Sequence, residues 1–363
     1  MNIFNYLSVI QDPRKDVNIK HNLFDVLFLV LAAVLSGAHG WKDIQVFGDT
    51  QLEWLRKYRT FENGIPRRHC IAKIISMLDT DLLVQALLGW INDRRQLDGK
   101  PVVAIDGKTM KRAWGDDIYK ALHVVTAYDV ENGITLYQKA SDCKGKEREI
   151  ARNIIDMLSL KGCVVTMDAL HCQKETMTQI VKQRGDFVIQ LKANQGKLFQ
   201  YVQQAFAAHY NDPQLPEYVE KSKGHGRIEV RRVMQIGATL PAELSRQWPH
   251  IKSLIEIGSE RTLDGKTSCD ARWYLSSLEV EPESIAHIIR SHWGIENQLH
   301  WVLDVVFRED ALCISDATGA AHIALMNRVS LALLKQHKFK DSMRSKRNRA
   351  GWDAEFRAES FFG

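Results

Sequence analysis

The sequence predicts an α/β protein: a mixed sheet with flanking helices, preceded by a helical domain and interrupted by a β-rich insertion. Three observations predict it. Residues 1–97 show only helical periodicity, whereas in residues 98–195 short apolar runs alternate with helical patterns in the order three strands, helix, strand, helix, strand. Residues 196–280 then open on a helix and continue as strand-like pieces, before helical periodicity returns at 281–340 and a cationic tail follows at 341–363.

Within the first domain, Asn22 is placed to cap an apolar helix from Leu23 to Leu35, and Gly37 stands where a glycine stop belongs. A second helix carries Ile44, Phe47, Leu52, Leu55 and Tyr58, a third runs from Arg67 to Leu78, and a fourth from Asp81 to Asp93. The basic groups Arg67-Arg68-His69 and Arg94-Arg95 leave two readings open, phosphate contacts or a solvated face.

The core begins with Val102 to Ile105, a buried strand by its β-branched run, which ends in Asp106-Gly107 turn chemistry. Ala121 to Tyr128 and Ile134 to Gln138 flank a short turn, so they predict an antiparallel hairpin. A helix from Lys146 to Leu160 leads to a fourth strand, Cys163 to Met167, which ends at Asp168. A strand that returns through a helix is normally a right-handed parallel crossover, so this strand should lie parallel to and beside the first. Asp106 and Asp168 are then expected at neighbouring strand ends. A helix from Cys172 to Arg184 and a strand from Phe187 to Leu191 complete this half.

In the insertion, a helix from Gly196 to His209 precedes strand-like runs at Ile228 to Met234, Ser253 to Ile257 and Arg272 to Ser276. Alternation puts Arg227, Glu229 and Arg231 on one face, which suits either a phosphate backbone or a solvated face with internal ion pairs. The last long helix is expected from Pro282 to about Phe307, with His292, Glu296 and His300 at helical spacing along a polar seam. On this helix Asp304 has Arg308 at i+4 and reads as an intrahelical ion pair, while Glu309 and Asp310 fall at its exposed end. Another apolar helix runs from Ala317 to Leu334, and the tail beyond it holds Lys335, Lys338, Lys340, Arg344, Lys346, Arg347 and Arg349, expected to favour a polyanion.

Composition narrows the function classes. With 363 residues and 45% hydrophobic content the chain can bury a substantial core, and its net charge of +5 is compatible with a polyanionic partner. Its six cysteines show no C-x-x-C spacing, which argues against a disulfide framework or structural zinc and fits a reducing cytoplasm. The apolar run Val26 to Leu35 falls far short of the roughly 20 residues that span a bilayer, so no membrane partner is expected. No Walker A loop, G-x-S-x-G elbow, H-E-x-x-H or dinucleotide fingerprint occurs. Two aspartates at adjacent strand ends and a third acid from a nearby helix instead suit two Mg²⁺ or Mn²⁺ ions, held by oxygen ligands for in-line phosphoryl transfer.

Five spaced motifs carry a family resemblance: Ala104-Ile-Asp-Gly-Lys108, Met167-Asp-Ala-Leu-His-Cys-Gln173, Leu191-Lys-Ala-Asn-Gln195, Gly224-His-Gly-Arg-Ile-Glu229 and His292-Trp-Gly-Ile-Glu-Asn-Gln-Leu-His-Trp301. In this order they resemble the H-repeat-associated insertion-sequence transposases, of the broad group with an Asp, Asp, Glu triad. The resemblance implies a ribonuclease-H-like fold interrupted by an insertion before the third acid. It also implies DNA cleavage and strand transfer with Mg²⁺ or Mn²⁺, on element ends and target DNA, by a homodimer or higher oligomer. Carried across by position, the triad and metal ligands are Asp106, Asp168 and Glu296. Lys108, His171, Gln173, Lys192, Asn194, His225, Arg227, His292 and His300, the polar residues of the same motifs, are the expected DNA contacts. Two departures stand out. Where related transposases carry a Tyr, Arg, Glu, Lys signature, this chain has Ile289, His292, Glu296 and Leu303, and Ile65-Pro-Arg-Arg-His-Cys70 replaces a Pro-Ser-His-Asp-Thr run.

Overall fold

The computed structural model describes residues 3–15, 17, 19–95, 100–110, 122–141, 144–224 and 226–363. The chain divides into two compact units. The first comprises Met1–Gln96, Gly107–Glu147 and Glu296–Gly363, and the second Leu97–Asp106 and Arg148–Ile295.

The first unit opens with α1 (Ile3–Leu7), α2 (Leu23–Leu35), α3 (Trp41–Leu55), α4 (Arg68–Ser76) and α5 (Thr80–Asn92). Asn22 caps α2 as expected, its side chain accepting from the Phe24 amide at 2.9 Å. Gly37 comes next with φ 108°, a left-handed conformation that costs glycine little and ends the helix. Strand β1 (Val102–Met110) does not end in the turn expected at Asp106-Gly107 but runs on through both residues, passing into this unit at Gly107, and β2 (Leu122–Asp129) lies between it and β3 (Ile134–Ser141). The β2–β3 pair is the antiparallel hairpin expected from the sequence, with a bulge between Ala127 and Tyr128.

The second unit receives α6 (Glu147–Met157) from its second residue on, then β4 (Val164–Met167), α7 (Lys174–Lys182), β5 (Asp186–Leu191) and α8 (Gly196–His209). It continues with β6 (Glu217–Gly224), β7 (Arg227–Gly237), α9 (Ala242–Gln247), β8 (Ser253–Leu263), β9 (Lys266–Ser276) and α10 (Pro282–Gly294). Its strands form a mixed sheet in the order β1-β4-β5-β9-β8-β7-β6. The β1–β4 and β4–β5 pairs are parallel, as the crossover rule requires, and the remaining pairs are antiparallel. Helix α10 packs on β4, β5, β6 and β7. Strand β6 is not evident from the sequence, because half its residues are charged and give little apolar alternation.

The expected long helix from Pro282 runs without a gap to Val305 but changes register on the way. After Gly294 the chain takes a π-helical turn over Ile295–His300, and only then α11 (Trp301–Val305). A π turn carries an extra residue relative to the α-helix, a change that apolar periodicity does not reveal.

Helix α12 (Ala317–Gln336) is the core of the first unit and packs on α2, α4, α5, β2 and β3. It is long and apolar enough to cross a membrane, yet nearly all of it is buried within this protein. Two short helices, α13 (Met343–Trp352) and α14 (Ala354–Phe362), close the chain. They correct the expectation that all the late cations face a polyanion. Arg347 is buried and donates to the carbonyls of Val34 at the end of α2, of Ala38 just beyond it and of Val306. Lys346 is likewise buried and donates to Leu334 O at 2.9 Å.

Candidate functional site

In the second unit, β1 and β4 run side by side with Ile105 opposite Met167. Asp106 is the next residue of β1 and Asp168 the first after β4, so the two acids stand at the same level of the sheet, on strands about 4.8 Å apart. Asp168 also serves a local role. One of its oxygens accepts from the Leu170 amide at 3.0 Å, capping the short turn Ala169–His171, while its side chain stays 46% exposed.

Polar groups gather around Asp168. The His171 ring is buried with Nε2 3.9 Å from Asp168 Oδ1. From α10, His292 Nδ1 lies 2.9 Å from the hydroxyl of Thr166, two residues before the acid. Burial pushes His292 down to about 4, with Asp168 pulling the other way and His171 reinforcing the shift. Its ring is therefore neutral at pH 7, a hydrogen-bonding group and not a cation. Asn194 donates to Ala169 O and Gln195 to Cys172 O, both at 2.8 Å, pinning the loop after β5 to the Asp168 turn. Lys192 is exposed beside them, and Gln173 is half-buried at the start of α7. Cys172 is buried and its thiol pushed up to about 12, so it is no nucleophile.

The insertion and α10 place cations along a cleft. Arg227, Arg231, Arg261, Arg272 and Arg290 line a space of about 310 Å³ whose wall includes Trp293 of α10. Arg231 and Arg272 lie 5.2 and 5.6 Å from the Trp293 ring centroid, within cation–π range. Internal ion pairs occur here too: Arg231 with Glu229 at 2.7 Å, Arg272 with Asp270 at 2.8 Å, and Arg290 with Glu220. Arg227 and Arg261 have no ion pair among the described residues. His225 lies outside the described residues.

In the first unit, Glu296 stands exposed in the π-helical turn, and His300, half-buried, closes that turn. Lys108 is not on the surface. Its side chain is 6% exposed, and its ammonium meets Asp304 at 2.6 Å, Asp310 at 3.2 Å and Glu309 at 3.6 Å. The expected Asp304–Arg308 pair is replaced by this contact, because α11 stops at Val305 and Arg308 turns left-handed with φ 55°. Glu309, expected at an exposed end, is buried and takes Arg328 at 2.9 Å. Burial holds the Asp304 carboxyl above the usual range, with Lys108 opposing the shift.

One acid near the site is not singled out by the sequence. The Glu147 carboxylate lies so close to Gly107 that a Cβ there would fall 2.5 Å from its Oε1. The only signal is its position in the first turn of α6, which reads equally as a complement to the helix dipole.

The oxygen donors of Asp106 and Asp168 suit a hard divalent cation, and two carboxylates at one sheet level are most easily ionised together when a cation lies between them. Among the described residues, no group of three or more His, Cys, Asp or Glu side chains is gathered to hold a metal.

Comparison with known proteins gives this geometry its context. Residues 97–333 match the profile described as "Transposase DDE domain", and residues 4–91 the one described as "DDE_Tnp_1-associated". The chain is 33% identical to the "H repeat-associated putative transposase YhhI" of Escherichia coli (strain K12), over 99% of this chain and 98% of that protein. It is also 33% identical to the "Putative transposase YncI" of Escherichia coli O157:H7, over 96% of this chain and 91% of that protein. A shorter stretch, 20% of this chain and 88% of the relative, is 43% identical to the "Inactive transposase YbfQ" of strain K12. A family profile over more than half the chain and full-length relatives of this kind settle the matter: the chain belongs to the DDE transposase family, alongside the H repeat-associated transposases.

Proposed function

We propose that this protein is a metal-dependent DNA transposase that cuts phosphodiester bonds at the ends of a mobile element and joins the freed 3′ hydroxyl to target DNA. The observation that carries the reading is the pair Asp106 and Asp168 at matching positions of adjacent parallel strands, each one residue past the paired Ile105 and Met167, in a chain of this family. Asp106, Asp168 and Glu296 would hold the Mg²⁺ or Mn²⁺ ions, in a ribonuclease-H-like core. When bound, such ions neutralise the charge that develops on the attacking and leaving oxygens. The protein's own residues divide the remaining work. The Asn194 and Gln195 amides hold the Asp168 loop in place, and the neutral His292 fixes Thr166 beneath it. Arg227 and Arg261 at the insertion cleft, with Lys192 near the acids, are the cations on which a DNA backbone would lie. The protein would work on DNA as a homodimer or higher oligomer.

The test is an assay with candidate element ends and Mg²⁺, scored separately for cleavage and for joining. Both products are expected. Cleavage without joining would make the protein a nuclease, and binding without either would make it a catalytically inactive relative, a state that the name of one similar protein records.

A further inference from the structure

Lys108 raises a question that its place in a candidate DNA-contact motif does not answer. A cation meant for phosphate should reach solvent, yet this side chain is 6% exposed and turned to three carboxylates of the first unit. The contact extends inward. Glu309 takes Arg328 at 2.9 Å and the Asn327 amide at 3.3 Å, and both belong to the core helix α12. Lys108, Glu309 and Arg328 thus meet away from water while Asp304 and Asp310 keep partial access to solvent, and losing the Lys108 or Glu309 partner leaves an uncompensated buried charge.

Position along the chain shows what this network can do. Lys108 lies two residues after Asp106, just where β1 passes into the first unit, and Asp304 lies beyond the π-helical turn that carries Glu296. Returning a π turn to α geometry removes one residue from the turn and rotates the chain beyond it by about 100° relative to the chain before it. Anchoring Asp304 fixes the far side of that turn. Hydrophobic side chains of similar volume could fill the same space, often with equal or greater stability, but would not set a rotation.

We propose that Lys108 is a positioning residue: its buried ammonium, held by Asp304, Asp310 and Glu309, fixes the helical register of the π turn and so the direction in which Glu296 points. Lys108 is accordingly no phosphate ligand. The proposal rests on the transposase reading for its catalytic consequence, though not for its structural one.

The experiment uses the full chain and the variants Lys108→Met, Lys108→Arg and Lys108→Met with Asp304→Met. It measures cleavage at saturating DNA and Mg²⁺, DNA affinity, and amide hydrogen exchange at residues 296–303. With Lys108→Met, cleavage should fall on the order of 30- to 100-fold, as expected for sub-ångström to ångström misplacement of a catalytic group. DNA affinity should stay within about twofold, exchange at 296–303 should quicken, and Lys108→Arg should restore most of the loss by keeping the cation. A folded Lys108→Met protein that cleaves normally overturns the proposal, and so does one that loses only DNA affinity. If Lys108→Met does not fold, the double variant, which removes the nearest of the three carboxylates together with the cation, should fold and still cleave slowly; failure to fold or normal cleavage by it overturns the proposal. If the unaltered protein does not cleave, the transposase reading has failed, and exchange alone decides: unchanged protection at 296–303 then overturns the positioning role.

Discussion

Asp106, within β1, and Asp168, just past the end of β4, stand at the same level of two adjacent parallel strands, one residue past the paired Ile105 and Met167. Paired strands are a rigid platform, and two carboxylates fixed on them can share a cation with little reorganisation.

Asn at either position keeps the shape and removes the charge. Asp106→Asn and Asp168→Asn are each expected to abolish detectable cleavage, a loss of at least about 10³-fold, with unfolding midpoints close to that of the unaltered protein. Asp168→Asn should keep the cap on Leu170, because an amide oxygen can accept the same hydrogen bond. Thermal unfolding and cleavage assays run in parallel would expose a site placed wrongly, through either variant that still cuts.

The third acid is separated from its neighbour by environment. Glu296 is exposed in the π turn, whereas Asp304 is committed to Lys108 at 2.6 Å. Glu296→Gln should eliminate cleavage and weaken Mg²⁺ binding. Asp304→Asn should lose roughly tenfold or less, since an amide can still accept from the ammonium. Titration of Mg²⁺ against both proteins checks this, and an inactive Asp304→Asn beside an active Glu296→Gln would reassign the third acid.

Gly107 and Glu147 make a separate test. A methyl at position 107 displaces the Glu147 carboxylate, the mobile end of its side chain, so Gly107→Ala should fold with a loss of no more than about 1 kcal/mol. Its cleavage rate should match that of Glu147→Gln if the carboxylate is what Gly107 accommodates. Different rates in the two variants would show that the glycine serves the backbone instead.

His292 should leave a mark on acid stability. Its ring titrates near 4 in the folded protein and near 6.5 when unfolded, so protons bind the unfolded chain first. The neutral ring costs nothing above pH 6.5; stability then falls as pH drops from about 6.5 to 4 and levels off below. The loss is on the order of 2 kcal/mol once partial exposure is allowed for. Urea melts across that range should show His292→Gln with a flatter acid limb, and identical limbs would mean that the ring is not buried as described.

Charge at the insertion and charge at the C-terminus should behave differently. Neutralising Arg227 and Arg261 should reduce the salt dependence of DNA binding by about one unit of slope for each phosphate that is no longer neutralised. Arg347→Gln should leave that slope alone and lower the melting temperature, because burial has already brought the guanidinium down to about 10 and tied it to three backbone carbonyls. Filter binding over a salt series distinguishes the two sets.

How much of the molecule is legible in the sequence depends on the range over which each signal acts. The hairpin from Leu122 to Ser141 and the parallel pairing of β1 with β4 are legible because a short turn and a helical return each restrict topology. The helix Gly196–His209 is legible to the residue. The π turn is not, since Leu299, Val302 and Leu303 keep an apolar pattern through the slip. Nor is the partner of Asp304: Arg308 stands four residues away, and Lys108, nearly two hundred residues earlier, can be found only in three dimensions. Lys346 and Arg347 mislead for a related reason, because a basic run shows charge but not direction.

Helix α2 is buried on every side from Val26 to Leu35, and α12, against which it packs, comes almost at the end of the chain. During synthesis α3 and α4 can cover part of α2 soon after it leaves the ribosome, but the face that α12 covers stays open until residues beyond Ala317 emerge. At about 5–20 residues per second that delay is on the order of tens of seconds. The yield of native protein should therefore depend on whether a trigger-type chaperone reaches α2 in that interval, and a message that stops before Ala317 should give an aggregating fragment, not a smaller domain.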